Sequence, residues 1–130
     1  MFEEQIARGM EALDDYFGAE DWVNAVDPSN FKMDSCDACV VGQLIGWSAV
    51  PQILPELDRL EPDDDEFFYD EQEIIAEHGF DLTPQMHTAI MTRARITRRH
   101  RHQLADLAWR RLEKEWLDAI KARLNKGVKV

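Results

Sequence analysis

From Pro84 to about Asn125 the chain runs without an internal proline or glycine. Within that run Leu104, Ala105, Ala108, Trp109, Leu112, Trp116, Ile120 and Leu124 recur at intervals of one, three or four. This is the period of one helix face, and no strand can bury such a set on a single side. Met86, Ile90 and Ala94 form a weaker stripe upstream. Thr83-Pro84 reads as a cap followed by proline in the first turn. A helix over the whole run would exceed the ordinary length, so the spacing allows one long helix or two broken near His100.

The rest of the chain follows the same period. Phe2, Ile6, Met10, Leu13 and Phe17 make a stripe that ends at Gly18. Trp22, Val23 and Val26 suggest a short helix before the turn Asp27-Pro28-Ser29-Asn30. Asp34-Ser35 offers side-chain oxygens to cap a helix starting near Cys36, with Gly46 helping to end it. Pro51 and Pro55 make the next stretch irregular. Glu61 to Glu66 reads as an acidic helix start, with Phe67, Phe68, Ile74 and Ile75 on the buried side and Gly79 as the stop. No segment alternates as a strand. The expectation is an all-α fold: a single small domain over residues 1–130, of about five helices, with a long C-terminal helix or helix pair. Its core should include Cys36, Cys39, Val40, Leu44, Trp47, Phe80, Trp109, Leu112, Trp116 and Ile120.

Charge divides the chain. Residues 1–81 hold 22 of the 26 acids and 3 of the 15 bases, a net of −19, while residues 82–130 carry +8. The two parts can pack together and neutralise each other, or face water. Alternatively the acidic part offers a surface to a partner, or the basic helical part binds nucleic acid. The acidic cluster Asp63, Asp64, Asp65 and Glu66 is the candidate protein-interaction site. Arg95, Arg98, Arg99 and Arg101 are the candidate nucleic-acid contacts, since an arginine-lined helix can follow phosphates or enter a major groove. The stretch from Arg93 to His102 has no aromatic residue for base stacking, and a total charge of −11 opposes long-range attraction to nucleic acid.

Cys36-x-x-Cys39 supplies half of a zinc site at most. His100 and His102 point to opposite sides of a helix, and nothing in the pattern brings His78 and His87 together. Asp34 and Asp37 would oppose a thiolate, so both thiols read as small apolar core residues and no metal or cofactor is expected. Gly42 inside this helix implies a close approach by another helix, and Gln43 on its buried face reads as a structural amide. Glu11-x-x-Asp14 and Glu115-x-x-Asp118 match part of the acid pattern by which all-helical nucleotide pyrophosphohydrolases hold magnesium, but the companion Glu-x-x-Glu is missing. No nucleophile elbow, phosphate loop or dinucleotide fingerprint occurs. The chain reads as a non-enzyme.

The longest apolar stretch, Cys39–Val50, is interrupted by Gly42, Gln43, Gly46 and Ser48, well short of the roughly 20 residues a membrane crossing needs. Met1-Phe2-Glu3-Glu4-Gln5 lacks the basic start and apolar centre of a signal peptide. A cytoplasmic protein without membrane contact is expected. The long helix could support a homo-oligomer.

The stretch Asp27-x-x-x-Phe31-x-Met33-x-x-Cys36-x-x-Cys39-Val40-Val41-Gly42-Gln43-Leu44-x-Gly46 resembles a group of small actinobacteriophage proteins. Their shared core reads Cys-x-x-Cys-Val-Leu-Gly-Gln-Leu, preceded by a tryptophan and an acidic turn, which Trp22 and Asp27 match. His78-Gly79-Phe80 and Leu112-x-x-x-Trp116-x-x-x-Ile120 are similar to later marks of the group. Val41 departs from the pattern, and the arginine-rich stretch looks like an addition. The resemblance implies a phage or prophage origin and a site of action in the host cytoplasm. It implies no activity. Phage accessory proteins of this size often bind a host protein, which makes a protein partner the leading expectation by association.

Overall fold

The computed structural model describes residues 2–59, 67–82, 84–97 and 101–128. Seven α-helices lie among them: α1 (Glu3–Phe17), α2 (Ala19–Ala25), α3 (Val40–Leu44), α4 (Val50–Ile53), α5 (Phe67–Glu77), α6 (Pro84–Thr97) and α7 (Arg101–Val128). Short 3-10 turns cover Pro28–Asn30, Trp47–Ala49 and Pro55–Arg59. No strand occurs among the described residues, and none of their helices is long and apolar enough to cross a membrane. The fold is the all-α small domain that the periodicity implies. There are seven helices rather than about five because the prolines do not break what they flank. Pro51 sits in the first turn of α4, where its missing N–H costs nothing.

The run after Pro84 is two helices, α6 and α7, packed against each other. The stripe on α7 buries Leu112, Trp116 and Ile120 against α1 and α2, with Trp109 and Leu124 partly covered. Trp116 is the centre of the core. Its Nε1–H donates to the Gly79 carbonyl at 2.6 Å. Its ring stacks on Phe80 at 5.8 Å and meets the edge of Trp22 at 6.5 Å. Gly79 can offer that carbonyl because it ends α5 with a φ of 73°, a conformation glycine adopts without strain.

Polar contacts fix α1 to its neighbours. The Phe2 N–H donates to Glu115 Oε1 at 2.9 Å, and Glu115 also accepts from Arg111. Burial works against the Glu115 charge, but these donors outweigh it and hold the carboxyl below its ordinary value. Asp14 accepts from Trp22 Nε1 at 2.7 Å and pairs with Arg123, whose guanidinium lies over the Trp22 ring. One carboxylate thereby joins α1, α2 and α7.

The segment around the cysteines departs from the sequence reading. The helix starts at Val40, not near Cys36, and Cys39 is its cap: Sγ accepts from the Gly42 N–H at 3.2 Å. Residues 32–39 form turns instead, closed by Cys39 N–H to the Ser35 carbonyl at 3.1 Å and Lys32 N–H to the Ala38 carbonyl at 3.0 Å. Asp34 is unavailable as a cap because it binds Arg110 Nη2 at 2.7 Å. Cys36 is therefore exposed and not part of the core. Leu44 and Trp47 are only partly buried. The close approach at Gly42 comes from this turn and not from another helix. A Cβ there would lie 2.1 Å from the Cys36 carbonyl oxygen.

Gln43 is a structural amide, as its position implied. Its Oε1 accepts from Asp27 N–H at 2.6 Å, and its Nε2 donates to the carbonyls of Asn30 and Ala38, both at 3.0 Å, with Asp27 at 3.2 Å. One side chain thus holds the turn after α2 against the turn before α3. Gln43→Ala should lower stability by about 1–3 kcal/mol, since it removes the bonds to Asp27, Asn30 and Ala38 that hold the two turns together. Urea unfolding measures this. Gln43→Glu should not rescue it, because a carboxylate would face three carbonyl oxygens.

Candidate functional site

The candidate contacts for nucleic acid do not share one helix. Arg95 is exposed on α6, and Arg101 is the first residue of α7. Arg98 and Arg99 lie outside the described residues, as do the side chain of Arg101 and the cluster Asp63, Asp64, Asp65 and Glu66. Four of the cations of α7 are engaged in ion pairs, while Lys121 is exposed. Arg110 pairs with Asp34, Asp106 and Glu113, Arg111 with Glu115, Lys114 with Asp118, and Arg123 with Asp14. Burial opposes the Arg110 charge, yet the surrounding carboxylates hold that guanidinium above its ordinary value. Two of these pairs, Arg110–Asp34 and Arg123–Asp14, cross between the basic and acidic parts of the chain. Mutual neutralisation is therefore real, but it is local.

The acids of α1 and α2 are different. Glu11, Asp15, Glu20 and Asp21 are exposed, and among the described residues no cation pairs with them. Arg8 is the one base in these two helices; it lies 4.0 Å from Glu4 and donates to the Glu77 carbonyl. Helical spacing puts Glu4, Glu11 and Asp15 on the outer side of α1, opposite buried Ile6 and Leu13.

A cleft of about 450 Å³ opens beside this face, between α1 and residues 52–56. Glu11, Asp15 and Glu56 supply its carboxylates against one guanidinium, Arg8; Tyr16 and Gln52 supply its hydroxyl and amide, and Ile53, Leu54 and Pro55 its apolar part. Tyr16 donates to Gln52 Oε1 at 2.8 Å, which braces one wall. His78 lines the same cleft. Its Nδ1 lies 2.8 Å from the Ile74 carbonyl, so that nitrogen carries the donating proton, and Nε2 turns toward Glu56 at 3.6 Å. An acidic rim over an apolar floor suits a lysine or arginine side chain, whose methylenes bury while the charged end meets carboxylates. Sequence reasoning missed this cleft. Its residues come from three separate stretches, and only the charge imbalance of the first part hinted at it.

The acid pairs weighed for magnesium serve other ends. Asp14 and Glu115 hold helices together, and Asp118 pairs with Lys114 on its own helix. Among the described residues no group of three or more His, Cys, Asp or Glu can hold a metal ion. His87 faces Asp81 at 3.7 Å, and burial raises the Asp81 carboxyl above its ordinary value against the opposing effect of the Leu82 N–H and His87. His78 and His87 have different partners and do not converge. On α7, Leu107 is 65% exposed, and a single outward leucine is ordinary surface. No family model, curated protein or solved structure matches this chain.

Proposed function

We propose that this chain is a phage-encoded accessory protein, non-enzymatic, which acts by binding a basic surface of a host or phage protein through α1, α2 and the adjoining acidic cleft. The observation that carries the reading is the unequal fate of its charges. Arg110, Arg111, Lys114 and Arg123 of α7 are paired with carboxylates of the fold, whereas Glu11, Asp15, Glu20 and Asp21 face solvent with no cation paired to them among the described residues. Such a face attracts a complementary partner and speeds its approach more than it tightens the final complex. The phage origin rests on the sequence resemblance and on the small size of the domain. The sequence reading also assigns Asp63, Asp64, Asp65 and Glu66 to a protein contact, and these lie outside the described residues.

Affinity capture from an actinobacterial lysate, with nuclease added and mass spectrometry as the readout, tests the reading. One near-stoichiometric protein should be retained at low salt and released as salt rises. Retention that disappears with nuclease would favour the other reading, a nucleic-acid-binding regulator using Arg95, Arg98, Arg99 and Arg101. A bait that is empty with nuclease counts against the protein partner and sends the test next to nucleic acid and the arginine-rich stretch.

A further inference from the structure

Cys36 and Cys39 are placed differently from each other: Cys39 holds the core position expected of it, and Cys36 does not. Cys36 is exposed on the turn, and Cys39 is 1% exposed beneath it. Both line one small cleft of about 170 Å³ whose walls include Trp47 and Trp109. The bond from Cys39 N–H to the Ser35 carbonyl closes a helical turn over residues 35–39. In such a turn the Cα atoms of residues three apart stand about 5 Å apart. That separation lies inside the range of about 4.4–6.8 Å that a disulfide spans between Cα atoms.

The charges around the pair are also less hostile than the sequence suggests. Asp34 lines the cleft but is neutralised by Arg110 at 2.7 Å. Asp81 lines the far wall and Asp37 follows Cys36 directly. Cys39 Sγ accepts the Gly42 N–H, a contact that favours its thiolate. Burial acts the other way and raises the Cys39 thiol above its ordinary value.

We infer that Cys36 and Cys39 form a dithiol that exchanges with small disulfides, with Cys36 as the entering nucleophile and Cys39 as the resolving thiol. The Cys36 thiolate attacks one sulfur of a low-molecular-weight disulfide, RS–SR. The S–S bond breaks, one RS⁻ leaves and takes up a proton, and Cys36–S–SR forms. The Cys39 thiolate then attacks the Cys36 sulfur, the mixed disulfide breaks, and the second RS⁻ leaves and is protonated. The protein loses two thiol protons and two electrons, and RS–SR becomes two RSH. The order follows from access: a reagent reaches Cys36 from solvent, whereas Cys39 meets only a sulfur already delivered to the cleft.

The probe is oxidised glutathione with the reduced full-length chain, quenched by acid and read by intact mass. The expected end product is the protein lighter by two hydrogens, after a transient single glutathione adduct. Its tryptic peptide spanning residues 33–59 should carry an internal disulfide. Cys39→Ser should accumulate a stable adduct on Cys36, and Cys36→Ser should react at least about 10-fold more slowly than wild type. A wild-type chain that keeps a lasting adduct on Cys36, or is first modified at Cys39, or stays unmodified, would overturn the inference. The wild-type peptide map decides this even if loss of the Cys39 cap unfolds the variant.

Discussion

Trp116→Ala should cost about 3–5 kcal/mol, a large share of the roughly 5–15 kcal/mol that holds a domain of this size together. Trp116 is fully buried. Its removal leaves a cavity between Phe80 and Trp22, which both lose their ring partner. It also orphans the Gly79 carbonyl, which accepts the indole N–H. Trp116→Phe separates the two losses. It keeps most of the apolar contact, so the carbonyl and the smaller ring should together cost about 1–3 kcal/mol. Urea unfolding followed by far-UV circular dichroism gives both values. An alanine variant within 1 kcal/mol of wild type would mean that Trp116 is not the centre of the core.

Gly9→Ala is expected to be nearly as damaging, although alanine is the better helix former by about 1 kcal/mol. A Cβ at position 9 would stand 2.1 Å from the His78 carbonyl oxygen and 3.0 Å from the Trp116 ring. Neither neighbour is free to move. The carbonyl belongs to the backbone at the end of α5, and Trp116 is held by Gly79. Helix α1 must therefore shift away from α5 and α7, at a net cost of about 1–3 kcal/mol or more. The expected result is a lower unfolding midpoint and a changed surface at the cleft, because Glu11, Asp15 and His78 line it from either side of this contact. An unchanged or raised midpoint would contradict the close approach of these elements.

Much of this was legible in the chain. The stripe Leu112, Trp116 and Ile120 and the stops at Gly18, Gly46 and Gly79 follow from period and backbone freedom alone, and all appear in the fold. Gln43 was legible as a structural amide because a polar side chain on an apolar face needs partners. The start of α3 was not. Asp34 looks like a cap in isolation, but an ion pair with Arg110, 76 positions away in the sequence, takes it elsewhere. Cys36 moved to the surface with it. Gly9 gave one weak signal, a glycine inside an apolar helical stripe, whose reason is a carbonyl on another helix's end. The acidic cleft was hidden for the same reason. Charge counts locate an excess of carboxylates, and only tertiary packing decides which of them meet a cation.

In the proposed function, the acidic face of α1 and α2 makes the contact with a protein partner. The most direct test is the affinity of the captured partner for wild type and for the variant Glu11→Gln, Asp15→Asn, Glu20→Gln, Asp21→Asn. These side chains are exposed, so the unfolding midpoint should hardly change. Loss of four attractions of a few tenths to 1 kcal/mol each should weaken binding by about 10- to 1000-fold at low salt, with the difference shrinking as salt rises. Equal affinity at low salt, with both proteins folded, would place the contact elsewhere on the molecule and contradict the account.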